Sequence, residues 1–312
     1  MAMLEISHTR EGGTLIEGTA RGDGSSEVLK GLRWRWSRGL GMWFVPRSRD
    51  CAVDVHLVER TMQALRSAGF EVSVVVDDAP RPVEVVERDR SERAQARAQA
   101  MEAKAQRREA TAEQAWARHE RAVAQLPPGG EPVKVGHHSE GRHRRALERS
   151  WSSLGSAVHA SNEAQEAQRR AEVAAHTDAV RSAPLTVARR IERLEADRGR
   201  VARALAEATA PARVERLSAQ LDELVEQLDY WGSIRRQQLE DGQAPGFGPA
   251  DVEVGARVRR GASQWLTVLR VNSKTVTVAP RFEGFPNARV PYFEIQQVIP
   301  AEEVRRAEAS AQ

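Results

Sequence analysis

Between Val187 and Trp231 large apolar side chains recur three and four residues apart. Val187, Ile191, Leu194, Val201 and Leu205 form one stripe, and Val214, Leu217, Leu221, Leu224, Leu228 and Trp231 form a second. That spacing keeps each set on one face of an α-helix, and Thr209-Ala210-Pro211 between them reads as a turn with proline at a helix start. Arg198 takes the seam position between Leu194 and Val201. The two seams most simply face each other in an antiparallel helical hairpin over 185–240. Pairing between chains, giving a homodimer, is the rival. Neither arrangement implies catalysis.

The chain before this hairpin is also helical by composition. Residues 81–126 alternate Ala, Arg, Gln and Glu, as in Ala94-Gln95-Ala96-Arg97-Ala98-Gln99-Ala100, which predicts a long exposed helix with few large apolar residues. Leu126-Pro127-Pro128-Gly129-Gly130 breaks it. Within 127–184 a basic helix is then expected from about Ser139 to Arg181.

The two ends carry strand signals. Runs at 3–8 and 14–18 flank Glu11-Gly12-Gly13 as a hairpin, Arg21-Gly22-Asp23-Gly24 reads as a turn, and Ser25 or Ser26 starts a short helix to Lys30. A strand at Met42–Val45, a helix at Val53–Ser67 and a strand at Glu71–Val76 complete a small α+β domain over 1–80. Residues 241–250 form a Gly/Pro linker. The β-rich runs of 251–300 predict a five-strand SH3-like barrel, followed by a tail at 301–312. The expected class is therefore α+β and multi-domain. Aromatics are only 5% of 312 residues and 29% are charged, so much of this length cannot build a thick core.

One cysteine, Cys51, excludes an intramolecular disulfide framework. No apolar run approaches the length of a membrane helix, and Met1-Ala2-Met3-Leu4-Glu5 does not open a secretory signal. The expectation is a soluble, cytoplasmic protein with no membrane contact.

Lys30, Arg33, Arg35, Arg38, Arg47 and Arg49 surround Trp34, Trp36, Trp43 and Phe44 with no acidic residue inside the stretch. Indole faces can stack bases and guanidinium groups can hold phosphates, so Arg33, Trp34, Arg35, Trp36, Arg38, Trp43, Phe44 and Arg47 are candidate nucleic-acid contacts. Core packing of the tryptophans, with arginine laid over the rings, is the alternative. A second candidate is the segment from Val135 to Arg149. If a helix starts at Ser139, then Arg142, Arg145 and Arg149 share a face with His138 nearby, which suits a phosphate. His137, His138, Glu140 and His143 are an alternative ligand set for a divalent metal, the route to phosphodiester hydrolysis. A solvated helix start with Glu140 complementing the dipole is the third reading. Arg257, Arg259, Arg260, Trp265, Arg270 and Lys274 offer the barrel a surface for an acidic or protein partner. Phosphate-binding glycine loops, the dinucleotide fingerprint, the Gly-x-Ser-x-Gly elbow and His-Glu-x-x-His are all missing, which argues against nucleotide hydrolysis and hydride transfer.

Gly13-Thr14-Leu15-Ile16-Glu17-Gly18-Thr19-Ala20-Arg21-Gly22-Asp23-Gly24, Trp34-Arg35-Trp36, Trp43-Phe44-Val45-Pro46 and Val135-Gly136-His137-His138-Ser139-Glu140 together resemble the bacterial family catalogued as domain of unknown function 3560. The resemblance extends over most of 4–240 and implies an accessory protein of plasmids, phages or integrated elements. It carries no catalytic residue over. Val28–Pro46 is also similar to tryptophan-centred modules of annealing helicases and plasmid primases, which touch DNA. The leading expectation is a non-enzymatic, single-strand-preferring nucleic-acid binder without a cofactor. The alternatives are a metal-dependent nuclease centred on His137, His138, Glu140 and His143, and a structural adaptor that binds no nucleic acid.

Overall fold

The computed structural model describes residues 3–127, 129–280 and 284–310. Pro128 of the expected break, residues 281–283 within the expected barrel, and the chain ends at 1–2 and 311–312 lie outside the described residues. The chain divides into two compact units, Met1–Asp89 and Arg90–Gln312.

The first unit is a five-stranded sheet with two helices. Its elements are β1 (Met3–Thr9), β2 (Gly13–Glu17), α1 (Ser25–Gly31), β3 (Arg35–Ser37), β4 (Met42–Phe44), α2 (Val55–Ser67) and β5 (Glu71–Asp77). The order across the sheet is β3-β4-β2-β1-β5. β5 runs parallel to β1, and the other pairs are antiparallel. Gly13 at the β1–β2 turn has φ +79°, and a Cβ there would lie 2.6 Å from Ser48 Oγ, so both conformation and space require glycine. Leu4, Ile6, Ile16, Leu29, Val58, Leu65 and Val72 form the core between one sheet face and the two helices, joined by Trp34 and Trp43.

The second unit begins with two long helices, α3 (Val83–Val123, its first residues in the amino-terminal unit) and α4 (Glu140–Ser182). Their polar pairs fix the direction: Ser91 with Asp178, Arg108 with Glu163, Trp116 with Ser161 and His119 with Ser153, so α4 runs antiparallel to α3. Between them lies alanine. Ala105, Ala112 and Ala115 of α3 pack with Ala157, Ala160, Ala167 and Ala171 of α4. The composition of 81–126 predicts an exposed helix; instead its alanine stripe is covered, because alanine is small enough to let two helix backbones approach closely without large side chains. Ala157 is fully buried. Ala157→Leu is expected to cost about 1–3 kcal/mol by overpacking this seam. Amide hydrogen exchange across 150–165 reads the outcome, and unchanged protection would contradict the packing.

α5 (Pro184–Ala206) and α6 (Pro211–Glu240) close the expected hairpin. Val187, Leu194 and Val201 meet Leu217, Leu224 and Trp231. Gln238 Nε2 donates to the Ser182 carbonyl at 2.7 Å, which places the end of α6 beside the start of α5. Both seams are thus covered within one chain. Arg198, at its seam position, stays exposed.

The remaining strands are β6 (Arg257–Arg260), β7 (Gln264–Val271), β8 (Thr275–Val278), β9 (Ala288–Pro291) and β10 (Ile295–Ile299), followed by α7 (Ala301–Ser310). They form an antiparallel sheet of order β10-β6-β7-β8-β9 around Val258, Val268, Val276, Val278, Val290 and Ile295. Among the described residues β9 and β10 are the two edges, so strand pairing does not close the expected barrel. Lys274 pairs with Glu195 of α5 at 2.8 Å. Glu294 accepts from Arg189 at 2.7 Å and from Arg260 at 2.6 Å. Arg260 and Lys274, expected as free cations for an acidic partner, are therefore already matched by carboxylates of their own unit. No helix among the described residues is long and apolar enough to cross a membrane.

Candidate nucleic-acid interface

Strand register decides which rings of the 30–49 segment are accessible. One row of residues crosses the sheet on its helix-covered face: Val74, Ile6, Ile16, Trp43 and Trp36 are successive cross-strand partners. Ile6 and Ile16 are completely buried and Trp43 is 6% exposed, but Trp36 on the edge strand β3 is 46% exposed. Its ring meets Trp43 edge-on at 5.8 Å, so one side is braced by the core and the other is open. Trp34 precedes β3, is 2% exposed, and donates through Nε1 to Thr61 Oγ1 of α2 at 3.0 Å. Trp34 and Trp43 are therefore corrected from stacking rings to core residues. The expected platform of three indoles reduces to one.

The neighbouring row lies on the opposite sheet face by strand alternation, and Arg35, Phe44, Leu15, Ser7 and Val75 are its partners. Phe44 is half-buried there with exposed Arg35 beside it. The β3–β4 turn presents Arg38 and Leu40, and is held by Gly41 N donating to the Ser37 carbonyl at 2.9 Å and Leu40 N donating to Ser37 Oγ at 3.2 Å. Leu40 is 44% exposed in the turn that follows the strand of the open indole. The sequence reading missed it, although an apolar residue between Gly39 and Gly41 has no strand to bury it.

Lys30, Arg33, Arg35, Arg38 and Arg47 are all exposed. Among the described residues no carboxylate lies within ion-pair distance of them. The local excess of positive charge that the sequence shows is thus retained in the fold and faces solvent. Arg49 instead donates through Nε to the Gly12 carbonyl at 3.1 Å, pinning the loop after β4.

The second candidate segment sits at the start of α4. His137 Nδ1 is 2.8 Å from Ser139 Oγ, and the His137 and His138 rings lie 4.0 Å apart. The Glu140 carboxylate accepts from Gly136 N at 2.6 Å and from Arg144 Nε at 2.9 Å. The Gly136 amide, then the Arg144 guanidinium, hold its pKa below the ordinary carboxylate value. The expected metal site is corrected accordingly: His137, His138, Glu140 and His143 do not form a group able to hold a metal ion, and no such group of three or more occurs among the described residues. Glu140 closes the helix start instead. Arg142, Arg145 and Arg149 are exposed and without a carboxylate partner among the described residues, with Arg149 Nε donating to the Arg145 carbonyl.

Because the folded-state pKa of Glu140 is depressed, its two bonds are complete above the ordinary carboxylate range and are lost as pH falls through the lowered value. The Gly136 amide proton resonance is expected to report that midpoint in an acid titration, and Glu140→Gln should flatten the curve. A midpoint within the ordinary glutamate range would contradict the closure.

Residues 89–210 match the family model described as Domain of unknown function (DUF3560). The chain resembles that family. The matched stretch holds α4 and its Gly136-His137-His138-Ser139-Glu140 start, together with most of α3 and all of α5. It is narrower than the 4–240 that the residues suggest, and the tryptophan and arginine segment of the first unit lies outside it. No curated protein and no solved structure matches the chain.

Proposed function

We propose that this protein is a nucleic-acid-binding accessory protein of a mobile genetic element, acting in the cytoplasm and preferring single strands, with the β3–β4 edge of the first unit as its contact surface. One observation carries the reading. The 33–47 segment carries an open indole, Trp36, and four exposed arginines, Arg33, Arg35, Arg38 and Arg47, for which no carboxylate partner occurs among the described residues. An exposed ring and unneutralised guanidinium groups on one segment match the two repeating parts of a single strand, a base with a π-face and a phosphate. Duplex bases are already stacked on one another, so the ring adds affinity only where a base is free. The basic start of α4, with His138, Arg142, Arg145 and Arg149, is a second patch for phosphates.

The carboxy-terminal sheet, with a 3-10 turn at Tyr292–Glu294 before its last strand and β10 paired with β6, supports reading this part as an SH3-like module for a protein partner. Its exposed Arg257, Arg270 and Arg289 remain for that contact.

Titration of single- and double-stranded oligonucleotides, with and without magnesium or manganese, tests the proposal. Salt-sensitive binding of single strands with no change in strand length is the expected result. Shortened products would favour the nuclease alternative, and no affinity at low salt would favour the adaptor.

A further inference from the structure

Only three non-glycine residues among those described have positive φ, and all lie within 33–50: Arg33 at 68°, Arg47 at 64° and Asp50 at 55°. The left-handed region crowds a Cβ against the backbone, so glycine is its default occupant, with Asp and Asn tolerated. Asp50 belongs to the tolerated class, and its carboxylate faces Arg81 at 3.3 Å. The two arginines have neither excuse.

Arg33 can be compared with a second copy of its own setting. α1 ends with Arg33 N donating to the Lys30 carbonyl at 3.2 Å and Trp34 N to the Leu29 carbonyl at 3.0 Å. α2 ends with the same pair, Gly69 N to Arg66 at 3.0 Å and Phe70 N to Leu65 at 3.1 Å. Both are the double closure in which the residue after the C-cap, here after Leu32 and Ala68, turns left-handed. At α2 that residue is Gly69, φ 92°. The same unit therefore builds the same closure with glycine, and nothing in the closure calls for a guanidinium.

Arg47 sits on a loop whose neighbours fix it. Val45 N donates to the Thr14 carbonyl, Ser48 Oγ donates to the Val45 carbonyl at 2.7 Å while accepting from Thr14 N at 2.8 Å, and Asp50 N donates to the Arg10 carbonyl at 2.7 Å. Such bonds over-determine the backbone and hold an unfavourable conformation in place. Arg35 faces Phe44 across β3 and β4, so Arg33 and Arg47 follow at the end of this hairpin opposite the Arg38 turn. Strain carried by two exposed cations without a carboxylate partner, on the same hairpin as an open indole, points to a role in what their side chains contact.

We propose that Arg33 and Arg47 form a fixed phosphate clamp, gripping neighbouring phosphodiesters of the single strand whose base lies on Trp36. This rests on the reading above and specifies how that surface takes its ligand. Anchoring each guanidinium on a restricted backbone lowers the ordering cost of binding, and its planar fork suits phosphate oxygens.

The test is the full-length double variant Arg33→Gly, Arg47→Gly, titrated beside the parent with labelled oligothymidylate across a salt series, with hydrogen exchange over 3–77. Relief of strain should slow exchange of that unit by roughly tenfold. Loss of two phosphate contacts should weaken low-salt binding by roughly tenfold or more and make the salt slope shallower by about 1.4. Binding of the variant equal to that of the parent, with the same slope, overturns the clamp while leaving nucleic-acid binding in place. Weaker binding accompanied by faster exchange also overturns it, since the loss would then come from damage to the fold. No binding by the parent overturns the function itself and the clamp with it.

Discussion

Alanine at Trp43 is expected to unfold the amino-terminal unit, whereas alanine at Trp36 is expected to leave it folded and weaken its hold on single strands. The two rings touch and sit directly opposite each other in β3 and β4, yet burial separates their roles. Trp43 packs against Ile16 and its neighbours in the core, and removing a buried tryptophan costs about 3–5 kcal/mol. A domain of this size has roughly 5–15 kcal/mol in total, so the loss takes a large fraction of its stability and, at the low end of that range, all of it. Trp36 keeps nearly half of its surface in water. Its loss removes one stacking partner, worth about 1–3 kcal/mol per base, or roughly five- to hundredfold in affinity. Four long helices dominate the circular dichroism of this chain, so unfolding of the first unit is better read by hydrogen exchange over 3–77. If Trp43→Ala kept its protection, the burial assignment would be wrong. If Trp36→Ala bound oligothymidylate as the parent does, the stacking assignment would be.

Neutralising Arg33, Arg35, Arg38 and Arg47 together, with glutamine at each, is expected to weaken salt-sensitive binding sharply. Each phosphate neutralised on a single strand contributes about −0.7 to the slope of log affinity against log salt. Four contacts give a slope near −2.8, so raising salt fourfold should weaken the parent by roughly fiftyfold. The quadruple variant should lose about 2.8 of the slope and retain the contributions of the ring and of the basic start of α4. None of the four side chains has a carboxylate partner among the described residues, so their neutralisation strands no buried charge. A slope unchanged by the four substitutions would move the phosphate contacts elsewhere, with Arg142, Arg145 and Arg149 as the next set to replace.

The seams of the α5–α6 hairpin were legible because leucine, valine and tryptophan at three- and four-residue spacing have one way to be covered. The α3–α4 seam was not. Alanine is both the strongest helix former and a common surface residue, so a stripe of it carries no separate signal for a partner, and its pairing depends on a second stripe more than forty residues away. In the first unit the hairpin, α2 and β5 follow from turn residues and periodicity. What the residues could not rank was Trp34 against Trp36. They stand two apart, and their different burial comes from the helix closure that tucks Trp34 under Thr61 and from the edge position of β3, both products of long-range pairing. The cation cluster was legible as composition, but the left-handed backbones of Arg33 and Arg47 were not, since nothing local in the sequence asks for glycine there. Glu140 illustrates the reverse: its place at a helix start was readable, and the bonds from Gly136 and Arg144 show why it does not join the neighbouring histidines.

The most direct measurement of the central claim is fluorescence and anisotropy titration of the intact protein with single-stranded and duplex oligonucleotides of one length across a salt series. An open Trp36 among arginines without carboxylate partners predicts quenching on single strands, tighter binding to them than to duplex, and a slope of about −2.8 or steeper. Equal affinity for both forms with no quenching, or no binding at low salt, would contradict it.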